Sequence, residues 1–153
     1  MDAAVARAMA KWPNVPAVYG WLALDRRGNW LIKDERIANA ALREFIARNY
    51  DADSAGCWYF QNGPQRVYVS LAYTPLVVHY EGEELRDHCG RAFAARMSYV
   101  DDEGSVLMAD GHTVALLDDR DLVQFADSGA SPQPIARAEI PGRFGFVQQP
   151  RPA

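Results

Sequence analysis

Three groups of residues in this 153-residue chain have types and spacings that could do chemistry. The first is a thiol with imidazoles: His88 and Cys89 are adjacent, with His79 and His112 elsewhere in the sequence. A cysteine nucleophile needs a base within hydrogen-bond reach, and neighbours on a strand point to opposite faces, so His88 cannot serve Cys89 there. A dyad would have to recruit His79 or His112. No local signature marks one, so structural roles are expected for all four residues, with a Cys89-dependent enzyme as the alternative reading.

The second group, Asp118, Asp119 and Asp121, offers the hard oxygen donors that Mg²⁺ prefers. The same residues open an apolar-periodic segment, where one Asp caps the first amides and the others favour the positive end of the helix. Capping is the expected role, with no metal and no cofactor. Phosphate- and dinucleotide-binding glycine patterns, HExxH, GxSxG and an EF-hand loop are all absent.

The third group is the stretch GCWYFQNGPQRVYVSL, Gly56 to Leu71. A turn near Asn62-Gly63 folds it into a hairpin, and Pro64 cannot donate the bond that would close a two-residue loop. A four-residue loop, Asn62 to Gln65, sets Tyr59 across from Tyr68 and Gln61 across from Arg66. Alternation then puts Trp58, Phe60, Val67 and Val69 on one face, the expected core. Tyr59, Arg66 and Tyr68 fall on the other, with Cys57, Gln61 and Ser70. Tyr and Arg combine broad contact area with directional hydrogen bonds, which is how interface anchors work. Together with Tyr19 and Trp21 they form the candidate binding surface for a protein or peptide. The competing reading is that a helix or a second layer covers them. Stacking of single-stranded RNA bases on the same aromatics is a further alternative.

Other elements must position these groups. AVYGWLALDRRGNWLIK reads as two strands around Asp25-Arg26-Arg27-Gly28, with Leu24 opposite Trp30 and Leu22 opposite Ile32. NAALREFIARNY reads as an amphipathic helix of about three turns, capped by Asn39 and buried through Leu42, Phe45, Ile46 and Tyr50. LVVHYE and HTVALL read as strands, and AARMSYVDDEGSVLMAD as another hairpin. Glu83 to Cys89 is strand or loop, and DDRDLVQFA is a short helix buried through Leu122, Phe125 and Ala126. The likeness of LDRRGNWLI to VDDEGSVLM is expected from hairpin turn chemistry, with a duplicated unit as the alternative reading. GRFGFVQQ, Gly142 to Gln149, superficially resembles the aromatic strand of an RNA-recognition motif, but its first two residues are reversed and Gln149 stands where an aromatic belongs. The expected fold is α+β: antiparallel hairpins forming a sheet, with one helix of about three turns and one short helix packed on it. A single domain over residues 1–153 is expected, with a mobile tail from about 148.

Composition agrees with a globular chain: 49% apolar, 24% charged and a formal charge of -4. Residues 1–75 carry nine Lys or Arg against seven Asp or Glu, whereas residues 76–153 carry seven against thirteen. So weak a basic excess disfavours DNA. MDAAVARAMAKW is broken by Asp2, Arg7 and Lys11, unlike a signal peptide, and no segment reads as a membrane span. A cytoplasmic location follows, with Cys57 and Cys89 as free thiols.

Across VPAVYGWLALDRRGNWLIK, FIARNY with GCWYFQNGPQRVYVSLAYTP, and LLDDRDL with IPGRFGFVQQPRP, the chain resembles a family of small uncharacterised proteobacterial proteins of the Burkholderia type. The resemblance implies a bacterial cytoplasmic protein and carries no activity, cofactor or catalytic residue with it.

Overall fold

The computed structural model describes residues 12–153. Residues 1–11, read above for a signal peptide, lie outside the described residues. Among the described residues the fold is mixed α+β, with two sheets and three short helices. Two compact units divide it: the first takes the chain up to Asp25, then Asn29–Ala72 and Val147–Ala153, and the second holds Arg26–Gly28 and Tyr73–Phe146.

The first unit contains β1 (Ala17–Leu24), β2 (Trp30–Ile32), β3 (Glu35–Arg36), α1 (Ala40–Arg48), β4 (Tyr50–Ala52), β5 (Trp58–Asn62) and β6 (Gln65–Leu71). Its six strands lie in the order β3-β2-β1-β6-β5-β4. Leu22 pairs with Ile32 and Leu24 with Trp30, as the turn chemistry demands. The β5–β6 hairpin also has its expected register, Tyr59 with Tyr68 and Gln61 with Arg66, but runs one pair further, to Asn62 and Gln65, so that the loop is two residues, Gly63 and Pro64, and not four. Pro64 therefore sits at the tip, where the ladder asks no donor of it.

Asn39 caps α1, its side chain accepting from the Leu42 amide at 2.9 Å. Leu42 and Ile46 are buried, and Phe45 meets Phe60 edge-on at 5.4 Å. The helix thus covers the Phe60, Val67 and Val69 face, and those three side chains have no exposed area. It spans nine residues, about two and a half turns rather than three. Tyr50, which the spacing put on the helix, instead begins β4 opposite Phe60. Trp58, expected in the core, is half-buried, with its ring against Tyr50.

The second unit carries β7 (Leu76–Glu81), β8 (Glu84–Asp87), β9 (Ala92–Phe93), β10 (Met97–Val100), β11 (Val106–Ala109), β12 (Val114–Leu117) and β13 (Gln133–Pro134). Their order is β13-β10-β11-β12-β7-β8-β9. Every residue of β11 and β12 is buried, which is why VLMA and VALL are unbroken apolar runs. A 3-10 turn, Asp119–Asp121, leads into α2 (Leu122–Asp127), and α3 spans Ile140–Phe144. In α2 only Phe125 is buried. Ala126 is exposed, because so short a helix presents one large side chain to the core.

The expectation of one antiparallel sheet gives way to two mixed sheets. Parallel pairs join β1 to β6, β12 to β7 and β10 to β13. These partners are distant in sequence, whereas hairpin patterning reports only neighbours.

Candidate functional site

β6 supplies the centre of the site. Alternation sends Gln65, Val67, Val69 and Leu71 inward, leaving Arg66, Tyr68 and Ser70 on the side opposite α1. β5 adds Cys57, just before it, and Tyr59 to that side. β1 runs parallel to β6 with a bulge: Val18 pairs with Val67 but Leu22 with Val69. Four steps along β1 match two along β6, so Val18 and Leu22 are both buried, while Tyr19 and Trp21 stay half-exposed.

The five predicted residues are thereby brought to one sheet face. The Tyr19 and Tyr68 rings stack at 4.7 Å and 8°. Tyr59 meets Tyr68 edge-on at 6.0 Å, and the Arg66 guanidinium lies 4.2 Å from the Tyr59 ring centre. Trp21 carries a cation of its own, the Lys33 Nζ at 4.3 Å, a residue that sequence reasoning missed. Its place follows from a two-residue hairpin turn between WLI and ER, with Ile32 paired to Glu35. Lys33 and Asp34 occupy it at φ of 48° and 70°, the conformation of a type I′ turn that Asn and Gly ordinarily fill. The Lys33 amide donates to the Trp21 carbonyl at 3.0 Å.

Electrostatics favour the neutral phenol of Tyr19 and the charged guanidinium of Arg66. Burial, then Tyr68, Cys57 and Asp53, raise the Tyr19 pKa, and burial followed by Asp53 raises that of Cys57. Hydrogen bonding to the Tyr68 side chain is the first of the causes holding Arg66 above its ordinary value. The Tyr68 hydroxyl also donates to Asp53 Oδ2 at 3.4 Å. Beside the aromatic row, Trp21, Ala23, Leu31, Lys33 and Ser70 contribute to a cleft of about 510 Å³.

The other candidates are dispersed or occupied. Cys89 and His88 lie in the turn after β8 rather than on a strand. Burial first, then Asp87, push the Cys89 thiol up to about 12, against an opposing effect of Arg91. His88 Nδ1 accepts from the Val77 amide at 3.2 Å, His79 faces Glu81 at 3.4 Å, and His112 lies in the exposed turn led by Asp110. Asp118 caps the 3-10 turn and is gripped by Arg120 at 2.9 and 2.6 Å. That side-chain bond is the main reason its pKa lies below the usual carboxylate range. Asp119 pairs with Arg27 at 3.0 Å, and Asp121 accepts from the Tyr80 amide at 2.8 Å. Among the described residues, no three His, Cys, Asp or Glu are grouped to hold a metal ion. Gly142 and Arg143 belong to α3, a helix where an RNA-recognition motif would need a strand.

The turn that the sequence shows at Asp25 and Asp101 recurs at two places that sequence reasoning missed, Asp53 and Asp87. Asp25, Asp53, Asp87 and Asp101 each accept, through Oδ1, the amide four residues on, at 2.8 to 3.0 Å. Each also donates its own amide to that residue's carbonyl. Gly28, Gly56, Gly90 and Gly104 close these turns at φ between 82° and 86°.

A family model described as "Protein of unknown function (DUF2946)" matches residues 1–151. The chain belongs to that family. No curated protein matches it. Among solved structures, this DUF2946 chain is similar to a DUF1285 family protein from Silicibacter pomeroyi DSS-3, at 16% identity and a TM-score of 0.55, covering 83% of this chain and 84% of that one. A DUF1285 family protein from Shewanella baltica OS155 gives 12% identity and a TM-score of 0.49, covering 70% and 91%. At such identities the first likeness speaks for the fold alone. Among the described residues, no helix is long and apolar enough to cross a membrane.

Proposed function

We propose that this chain is a non-enzymatic interaction module that holds another protein against the outer face of its first sheet. The observation that carries the reading is the half-exposed row of Tyr19, Tyr68 and Tyr59, with Arg66 over the last ring, on the side away from α1. A core would have hidden these rings, and a merely solvated face would have little use for three of them. Aromatic rings with a guanidinium bury much area at low entropic cost, which is how a few residues come to dominate an interface. The resemblance to proteobacterial proteins and the two free cysteines favour a bacterial cytoplasm as the setting.

The test is capture from native bacterial lysate by wild type and by the Tyr59→Ala, Tyr68→Ala double variant, once circular dichroism shows both to be folded. A partner retained by the wild type and lost by the variant supports the reading. Equal capture by both proteins removes it.

A further inference from the structure

The outer face of the first sheet has a charge pattern that narrows its partner. We propose that it binds an extended acidic peptide segment, whose carboxylates reach Arg66 and Lys33 while its side chains lie along the tyrosine row and the neighbouring cleft. This rests on the reading of that face as a docking surface.

Arg66 and Lys33 stand at separate places on the face, one on β6 and one in the β2–β3 turn, each over an aromatic ring. Among the described residues neither forms an ion pair, whereas Arg27, Arg86, Arg120 and Arg137 of the second unit all do. Arg66 also bonds the Tyr68 side chain, but a cation resting on a ring has further outward donors, and a carboxylate is their natural complement. The face also holds acids. Asp53 is engaged through Oδ1 by the Ala55 and Cys57 amides and through Oδ2 by the Tyr68 hydroxyl; Asp51, across from Tyr59, accepts from the Ala52 amide; Asp25, in the cleft, is held by Asn29; and Asp34 lies in the turn next to Lys33.

Backbone conformation supplies a second observation. Lys33 sits at φ 48° and its turn partner Asp34 at φ 70°, where a long side chain is uncommon. Such outliers gather at ligand-holding positions, where the surrounding structure over-determines them. Here the left-handed turn delivers an ammonium group onto Trp21.

A peptide fits better than a nucleic acid strand. Single-strand binders offer ring faces on which bases stack. In this face Tyr19 and Tyr68 stack on one another, and Arg66 and Lys33 occupy the faces of Tyr59 and Trp21. A base would have to displace these partners, whereas a carboxylate engages the cations where they stand.

The experiment pans a phage-displayed library of random dodecapeptides on the full chain, with the Tyr59→Ala, Tyr68→Ala variant for counter-selection. Enriched peptides are then titrated by fluorescence polarisation against wild type, Arg66→Gln and Lys33→Asn. Peptides rich in Asp and Glu are expected, with binding weakened about fivefold or more by either substitution and between about 50 and 300 mM salt. Lys33→Asn should leave the fold at least as stable, since Asn suits the turn, so weaker binding there cannot be blamed on unfolding. Enriched peptides without an acidic bias, or bound equally well by both charge variants, overturn the inference and leave the docking surface standing. No enrichment over the double variant overturns both. A labelled oligothymidylate that outcompetes the peptides overturns the inference in favour of a nucleic acid.

Discussion

The rings of Tyr19 and Tyr68 lie 4.7 Å apart and 8° from parallel, joined across a parallel strand pair on the face that α1 leaves uncovered. Because both are half-exposed, Tyr68→Ala should cost about 1 kcal/mol, the worth of an aromatic pair with modest burial. Phe60, with no exposed area and Phe45 and Trp12 against it, should cost about 3 to 5 kcal/mol when cut to Ala. Urea unfolding of the two variants checks the contrast. Equal losses would make the tyrosine row part of the core and remove the basis for a docking surface.

Gly28 is held for two reasons at once. Its φ is +82°, and a Cβ there would come within 2.7 Å of the His88 Cβ. Gly63, at φ +55°, has nothing within 4 Å of such an atom. Gly63→Ala should therefore cost about 1 to 2 kcal/mol, from backbone strain alone. Gly28→Ala should exceed it by about 1 to 3 kcal/mol, because a packed Cβ cannot swing aside. Thermal or urea melts that give the same loss for both would show that the approach to His88 relaxes freely.

The candidate face was legible in the sequence because alternation needs only neighbouring residues. The β5–β6 register followed from one proline, and it carried Tyr59, Tyr68, Arg66 and Gln61 to their places. Lys33 was hidden because nothing in its type announces a left-handed turn that aims it at Trp21. The pairing of Ala17 with Arg66 was hidden for a different reason: parallel strands so far apart in the chain leave no local trace. Asp53 and Asp87 were overlooked as turn-formers, since DSAG and DHCG follow Asp51-Ala52 and Leu85-Arg86 rather than the apolar pairs that precede Asp25 and Asp101. Tyr50 shows the opposite failure, where helical spacing continued into residues that had already become a strand.

Tyr73 gives the fold an alkaline limit. It is buried, its hydroxyl donates to Asp101 Oδ2 at 2.8 Å, and burial above all, then Asp101, raises its pKa well above the ordinary 10.0. The folded state thus keeps its phenolic proton after the unfolded state has begun to release one. The stabilisation is complete below pH 10.0 and is lost as pH climbs from there toward the folded value. Chemical denaturation at stepped pH should show wild-type stability falling above that point, and Tyr73→Phe falling less steeply, though from a start about 1 to 3 kcal/mol lower because Asp101 loses a donor. Parallel alkaline limbs would assign the limit to another group.

Cys89 should be a poor nucleophile. Its thiol pKa is pushed up to about 12, mainly by burial, and the Asp87 carboxylate beside it, whose Oδ1 receives the Cys89 amide at 2.9 Å, adds to the cost of a thiolate. Reactive cysteines are activated the other way, by cations or helix ends that stabilise the thiolate. Cys57 also lies above its ordinary value, through burial and Asp53. Both thiols should alkylate more slowly than free cysteine at pH 8, Cys89 the slower, and neither rate should bend upward near neutral pH. Iodoacetamide labelling of the folded chain, followed site by site with mass spectrometry, measures this directly. A Cys89 that labels faster than a free thiol, with an inflection below pH 8, would require a stabilisation of the thiolate stronger than Arg91 gives, and would turn attention from the tyrosine face to a thiol enzyme.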